Sequence, residues 1–218
     1  MARPTNTTAQ TIFERTDPSA PNNYAIFELQ NDPARPGLTR ITLPPKSTWT
    51  PGPHWHERYT EFFRVVQGKV VIKLDGVTKV VGPEDGTQRV DKFIVHEFMR
   101  ADKDSREEEK DIGDVITEEW TDPMDGAKHV FFRNAFSTLQ DGDKYWKSWT
   151  MVQALFICTE YDNFIVILPG ALSHTTTHVL YSVLRLAGRL LGLRAWCDEY
   201  TPASLRPIAA GSKLSKQD

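Results

Sequence analysis

The chain has 218 residues, a formal net charge of −3 at pH 7, 39% hydrophobic residues and 11% aromatic residues. This length predicts one domain with room for an appended element, and the apolar content is sufficient for a buried core. The small negative charge gives no reason to expect nucleic-acid binding, so no nucleic-acid partner is expected.

The N-terminal residues 1–23 are polar and rich in Thr, Pro and Asn, and are predicted to form an arm. They lack the apolar core of a secretory signal. Cys158 and Cys197 are far apart and form no CxxC pair. Separate cysteines among apolar residues are typical of reduced, buried thiols. Together these features predict a cytoplasmic protein.

The segment after the arm is typical of a sheet. Residues 24–29 and 38–43 predict strands, the second because apolar and polar residues alternate in it. Asp75 and Gly76 lie between two runs rich in valine, which indicates a hairpin. Residues 114–120 predict a further strand. Nothing in this part of the chain has the period of a helix.

Residues 52–68, GPHWHERYTEFFRVVQG, contain the pattern that carries chemistry. His54 and His56 are two residues apart, so on a strand they point to the same face. The four residues between them and Glu61 are enough for a tight return, so Glu61 is expected to face the two histidines from a neighbouring strand. Neutral imidazoles and one carboxylate suit a divalent transition metal and leave coordination positions open.

The spacing H-x-H-x4-E-x6-G resembles the first signature of the cupin superfamily and matches it at every position. The resemblance implies a mainly β fold: a single cupin double-stranded β-helix, or jelly-roll barrel, over residues 24–122. It implies a mononuclear divalent metal (Fe, Mn, Zn or Ni) at the histidines and the glutamate. It also implies a homodimer, because early strands of cupins often pair across a subunit interface.

The cupin resemblance implies a third histidine, for which two candidates compete. The second signature, G-x5-P-x-G-x2-H-x3-N, fits neither candidate fully. His129 matches more letters, but the residues after Gly126 have a helical pattern. His96 lies in a β-type run, as a ligand opposite the first pair requires. His96 is therefore the predicted ligand, with His129, or neither, as the alternatives.

A helical extension is predicted over residues 123–200, followed by a flexible tail at 201–218. Within it, residues 173–195 predict a helix that is apolar around most of its surface, with Arg185 and Arg189 on a narrow polar stripe. Such a face has to be covered. We expect the barrel or a second subunit to cover it. Peripheral contact of residues 173–195 with a membrane, with the arginines at the headgroups, is the alternative.

The leading hypothesis for function is a metal-dependent cupin enzyme acting on a small organic substrate inside the barrel. It would be an oxygenase or a Lewis-acid isomerase or lyase, with His54, His56, Glu61 and His96 as ligands. A second hypothesis is a metal-free cupin that binds a metabolite and uses Glu61 as an acid–base group. A third is a non-catalytic binding or assembly protein that uses the C-terminal helix.

The C-terminal extension and the sequence FFRN within it are similar to fungal cupin-domain proteins, some of which tailor secondary metabolites. This resemblance implies that the substrate is a secondary metabolite.

Overall fold

The computed structural model divides into two compact units: Thr11–Met124, and Met1–Gln10 together with Asp125–Asp218. The charge run at 101–111, which the sequence predicts to be a solvated loop, lies outside the described residues from position 103 onwards. Only the backbone is described at 143, 144, 147 and 148. The described residues are 4–17, 20–30, 32–102, 113–144 and 147–211.

The unit Thr11–Met124 is built from short antiparallel strands, because its sequence alternates polar and apolar residues between turns. In the third strand, for example, Thr39, Ile41 and Leu43 are buried and the residues between them are partly exposed. Its strands, in chain order, are β1 (Ile12–Asp17), β2 (Ala20–Leu29), β3 (Thr39–Leu43), β4 (His54–Trp55), β5 (Thr60–Gln67), β6 (Val70–Leu74), β7 (Val77–Val81), β8 (Thr87–Val90), β9 (His96–Arg100) and β10 (Val115–Asp122).

These strands form two sheets. One has the order β1-β2-β3-β10-β5-β8, and the other contains the run β4-β9-β6-β7. The predicted hairpin joins β6 to β7, and Asp75 and Gly76 at its turn both have positive φ angles, 48° and 82°. Two such residues in succession match the twist of the flanking strands. The predicted mainly β fold is confirmed.

Part of the segment predicted as an arm is a strand. β1 pairs with β2 along its length, and Phe13 is fully buried opposite Phe27. The run IFERTD has two adjacent apolar residues followed by four polar ones, so neither alternation nor composition reveals the strand. The residues before it belong to the other unit, where Thr5 donates hydrogen bonds to Asp141.

Aromatic side chains fill part of the core of the strand unit. The Trp49 ring lies 5.2 Å from the Phe27 ring and 5.8 Å from the Phe98 ring, in edge-to-face arrangements. Phe98 of β9 also contacts Phe63 of β5, at 4.6 Å between centroids. Such pairs stabilise a core beyond the area that they bury. The strands that carry the candidate site are therefore fixed to each other from within.

The other unit is helical. Gly188 lies against the buried Phe156 ring so closely that a Cβ atom at this position would overlap it. The predicted helix after Gly126 is confirmed, and part of the predicted tail forms a short helix. The elements are α1 (Ala127–Gln140), α2 (Lys147–Glu160), the two-residue strand β11 (Phe164–Ile165), α3 (Ser173–Leu190) and α4 (Arg206–Gly211).

The helix predicted at 173–195 ends at Leu190, and whether a second subunit covers its apolar face stays a prediction. The side that packs within the chain carries Thr177, Tyr181 and Gly188, all buried. Most of the large apolar side chains of α3 are exposed, namely Val179, Leu180, Val183, Leu186 and Leu190. In the part of the chain that the structure describes, nothing covers these side chains. Among the described residues, no helix is long and apolar enough to cross a bilayer.

Candidate metal centre

Two histidines come together across adjacent strands. His54 of β4 pairs directly with His96 of β9, and their ring centroids are 4.2 Å apart. Nδ1 of His54 lies 2.9 Å from the carbonyl oxygen of Gly52, and Nδ1 of His96 lies 3.0 Å from that of Ile94. A carbonyl can only accept a hydrogen bond, so Nδ1 carries the proton in both rings. Each Nε2 then keeps a lone pair for a metal.

Glu61 reaches the histidines from the opposite sheet. It lies on β5, and the residues between it and His56 carry the chain from one sheet to the other. The sequence predicted a neighbouring strand, whereas the structure shows a facing one. The buried carboxylate lies 3.3 Å from Nε2 of His56 and 3.5 Å from Nε2 of His96. The site is therefore formed between the two sheets.

The four predicted ligands form one group. Each of His54, His56, Glu61 and His96 offers one ligand atom, and these atoms all lie within 4.8 Å of one another. Opposite ligands of a single bound ion lie roughly 4 to 4.4 Å apart, because each bond is about 2.0–2.2 Å long. Small side-chain movements would bring all four atoms into that range. Nε2 of His96 is buried and forms no hydrogen bond among the described residues, which fits an atom that serves as a ligand.

The electrostatic environment keeps His54 neutral. Burial holds the pKa of its imidazole well below the usual value, and the nearby His96 and His56 lower it further. The Glu61 carboxylate acts in the opposite direction but does not outweigh them. An imidazole binds a metal only when it is unprotonated. The low pKa therefore keeps His54 ready for a metal at neutral pH.

His129, the alternative candidate for the third histidine ligand, is not part of the group of four residues. His129 is buried on α1, in the helical unit. The two exposed histidines one turn apart on α3, His174 and His178, are also separate from it, and the His178 ring lies 5.1 Å from that of Phe164. Strand context therefore predicts the geometry of the group better than letter matching does. The role of His96 as a ligand stays a prediction.

Two polar residues near the group were not predicted from the sequence. Thr121 of β10 lies directly opposite Glu61, and Glu119 lies opposite Phe63. Cross-strand partners share a face, so both point to the same side of the sheet as Glu61. Both are buried. The sequence signal that could have revealed them is the spacing of Thr117, Glu119 and Thr121, which places these polar residues on one face of β10.

Comparison with known proteins identifies the class. Residues 39–106, which include all four candidate ligands, match the family model described as a cupin domain. The chain therefore contains a cupin domain. The solved structure of the capsular polysaccharide assembling protein CapF from Staphylococcus aureus is 19% identical, with a TM-score of 0.36. It covers 50% of this chain, and the match spans 28% of that chain.

Two curated fungal relatives carry oxidoreductase names. "Oxidoreductase OpS7" of Beauveria bassiana is 25% identical over 177 residues, which are 69% of this chain and 56% of that protein. "Probable oxidoreductase patJ" of Penicillium expansum is 36% identical over 90 residues, which are 41% of this chain and 23% of that protein. The chain thus spans little more than half of the first relative and about a quarter of the second.

Proposed function

We propose that the cupin unit is a mononuclear metal-dependent enzyme that acts on a small organic substrate. The observation that carries this proposal is the convergence of three imidazoles and one carboxylate, with ligand atoms within 4.8 Å of one another. Buried ionisable groups are costly unless something pairs with them. A metal ion would compensate all four together.

Oxygenase chemistry is the favoured reaction type. The relatives named above are called oxidoreductases, which supports redox chemistry over isomerisation. A bound divalent transition metal would supply redox activity or Lewis acidity at the positions that the four ligands leave open. Iron, manganese, zinc and nickel all suit such a ligand set. The resemblance to fungal cupin-domain proteins supports a secondary metabolite as the substrate.

The chain's own backbone orients the imidazole rings of the proposed ligands. The carbonyl oxygens of Gly52 and Ile94 hold the His54 and His96 rings in one tautomer, so the lone pairs need no reorganisation. The strands that carry the ligands are held together by the contact between Phe63 and Phe98. Such preorganisation is what a catalytic site requires of its scaffold.

A metal-free acid–base enzyme is the second candidate. The Glu61 carboxylate lies 3.3 Å from Nε2 of His56, close to hydrogen-bond range. Without a metal, this pair could pass a proton to or from a substrate. The pair is made of the same atoms as the proposed metal group, so the two candidates differ only in the ion.

Metal analysis tests the proposal. The purified chain is expected to contain about one divalent ion per molecule, or to bind one with high affinity after reconstitution with Fe(II), Mn(II), Zn(II) or Ni(II). Addition of nitric oxide to the Fe(II) form under anaerobic conditions should then give the electron paramagnetic resonance signal of an open coordination position. Absence of tight binding of all four metals would contradict the proposal and favour the acid–base candidate.

A further inference from the structure

The outer side of α3 is a continuous apolar stripe. Leu172, Val179, Val183, Leu186 and Leu190 are between 58% and 81% exposed. They recur at intervals of three, four or seven residues, so they lie along one line on the helix. α3 has 18 residues and is therefore about 27 Å long. We call this stripe, with the exposed Ile167 and Leu168 before the helix and Leu191 after it, the apolar outer face.

Specific contacts hold α3 in this orientation. Thr177 donates a hydrogen bond to the carbonyl oxygen of Ile165 at 2.8 Å. The Tyr181 hydroxyl donates one to the carbonyl oxygen of Asn163, also at 2.8 Å. Thr177 and Tyr181 thus pack inward while the leucines and valines of the apolar outer face point outward, which is not the usual arrangement of a surface helix. Exposed apolar patches of this size mark sites of interaction.

The charge around this face indicates the kind of partner. No Asp or Glu occurs from position 163 to position 197, although the chain contains 29 acidic residues among its 218. The same stretch contains three arginines. Arg185 is partly engaged with Thr159 and Glu160. Arg189 lies 3.7 Å from the same Glu160 carboxylate but stays 62% exposed, and Arg194 is exposed. An anionic lipid surface repels carboxylates and attracts arginines, so a stretch with arginines and no acidic residue suits such a surface.

We propose that the apolar outer face lies on an anionic lipid membrane, parallel to its surface. The leucines and valines would enter the boundary between headgroups and acyl chains, and Arg189 and Arg194 would contact the headgroups. A second copy of the chain is less suited to this face, because the exposed apolar residues extend past both ends of α3. A single helix of a second copy, packed along α3, would leave the apolar residues before and after α3 in water.

Vesicle co-sedimentation of the full chain tests this proposal. We expect the protein to pellet with phosphatidylcholine vesicles that contain phosphatidylserine, and to bind pure phosphatidylcholine vesicles less tightly. Added salt should weaken binding, because it screens the contribution of the arginines. A chain that stays in the supernatant with both vesicle types overturns the proposal.

Two variants with matched controls locate the contact. Leu186→Ser with Leu190→Ser should lower the partition constant at least tenfold, because one leucine leaving an apolar phase already changes it about tenfold or more. Val77→Ser with Val80→Ser, at exposed residues of β7, should leave it unchanged. Equal loss in both pairs, or no loss in either, would contradict the assignment.

Charge reversal tests the arginines separately. Arg189→Glu with Arg194→Glu should weaken binding to the anionic vesicles by about tenfold or more, since each cation near such a surface contributes ~1 kcal/mol. Lys69→Glu with Lys79→Glu changes the net charge equally, at exposed residues of the other unit. Light scattering of the same proteins measures their oligomeric state and so tests the alternative occupant, a second copy of the chain. If the wild type is a dimer that does not bind vesicles, and the leucine variant is a monomer, a second copy covers the apolar outer face.

Discussion

The two units depart from the usual distribution of polar and apolar residues in opposite ways. The strand unit buries His96, Glu61 and Glu119, which are ordinarily found at the surface. The helical unit exposes leucines that would ordinarily be buried, of which Leu190 is 81% exposed. These two departures are the basis of the two proposals: a metal and a substrate at the strand unit, and a lipid surface at the helical unit.

The largest effect should come from removing a ligand. His96→Ala and Glu61→Ala should each lower the metal affinity by more than the ~10–100-fold that is typical for outer-shell changes. His129→Ala should keep the metal, because His129 lies on α1, outside the group. Elemental analysis after dialysis against a chelator measures all three. Metal loss in His129→Ala, with retention in His96→Ala, would reverse the choice of the third histidine.

A change at the other unit should disturb its packing and leave the metal group intact. Gly188→Val places a side chain where the Phe156 ring already lies. We expect a loss of about 1–3 kcal/mol in the free energy of unfolding, as is typical of overpacking. Chemical denaturation measures the loss, with Gly211→Val as control, since a Cβ atom there meets no neighbour within 4 Å. A Gly188→Val protein as stable as the wild type would contradict the packing of α2 against α3.

A smaller effect is expected from the ion pairs on the outer side of the first sheet. Glu118 accepts hydrogen bonds from Arg40 at 3.0 Å and from Arg64 at 2.6 Å. Both arginines are well exposed, so we expect Glu118→Gln to cost only about 1 kcal/mol of stability. Asp91→Asn, in an exposed pair with Arg89, is the control and should cost less. Denaturation at low and high salt measures both. A Glu118→Gln protein as stable as the wild type would show that these ion pairs contribute nothing to the free energy of unfolding.

The smallest effect should be a change in pH dependence. Burial holds the pKa of His54 well below its usual value in the folded chain. As the pH falls through ~6.5, the unfolded state takes up a proton that the folded state does not. The metal-free protein should therefore lose stability below that pH, and His54→Gln should lose less. Denaturation at neutral and mildly acidic pH measures the difference. Equal losses in the two proteins would contradict the low pKa.

The sequence predicted the strands and the proximity of His54, His56 and Glu61 because both depend on local pattern. The alternation in β3, the hairpin at Asp75 and Gly76, and the spacing of His54, His56 and Glu61 are all visible within a few residues. β1 was missed because its apolar residues are few. Glu119 was missed because its face depends on pairing with β5, far away in the chain.

The orientation of α3 could not be predicted for a related reason. Its amphipathic pattern shows which residues share a face, but not which face turns inward. That choice depends on hydrogen bonds from Thr177 and Tyr181 to the backbone around β11. These partners are more than ten residues away, and polar residues that pack inward give no signal in hydrophobic periodicity.

Anomalous diffraction from crystals of the chain grown with a divalent metal tests the central claim most directly. We predict one anomalous peak within about 2.0–2.2 Å of His54, His56, His96 and a carboxylate oxygen of Glu61. Nδ1 of His54 and of His96 should still donate to the backbone carbonyls. Crystals with no anomalous density among these residues, and with Glu61 still 3.3 Å from Nε2 of His56, would contradict the metal centre.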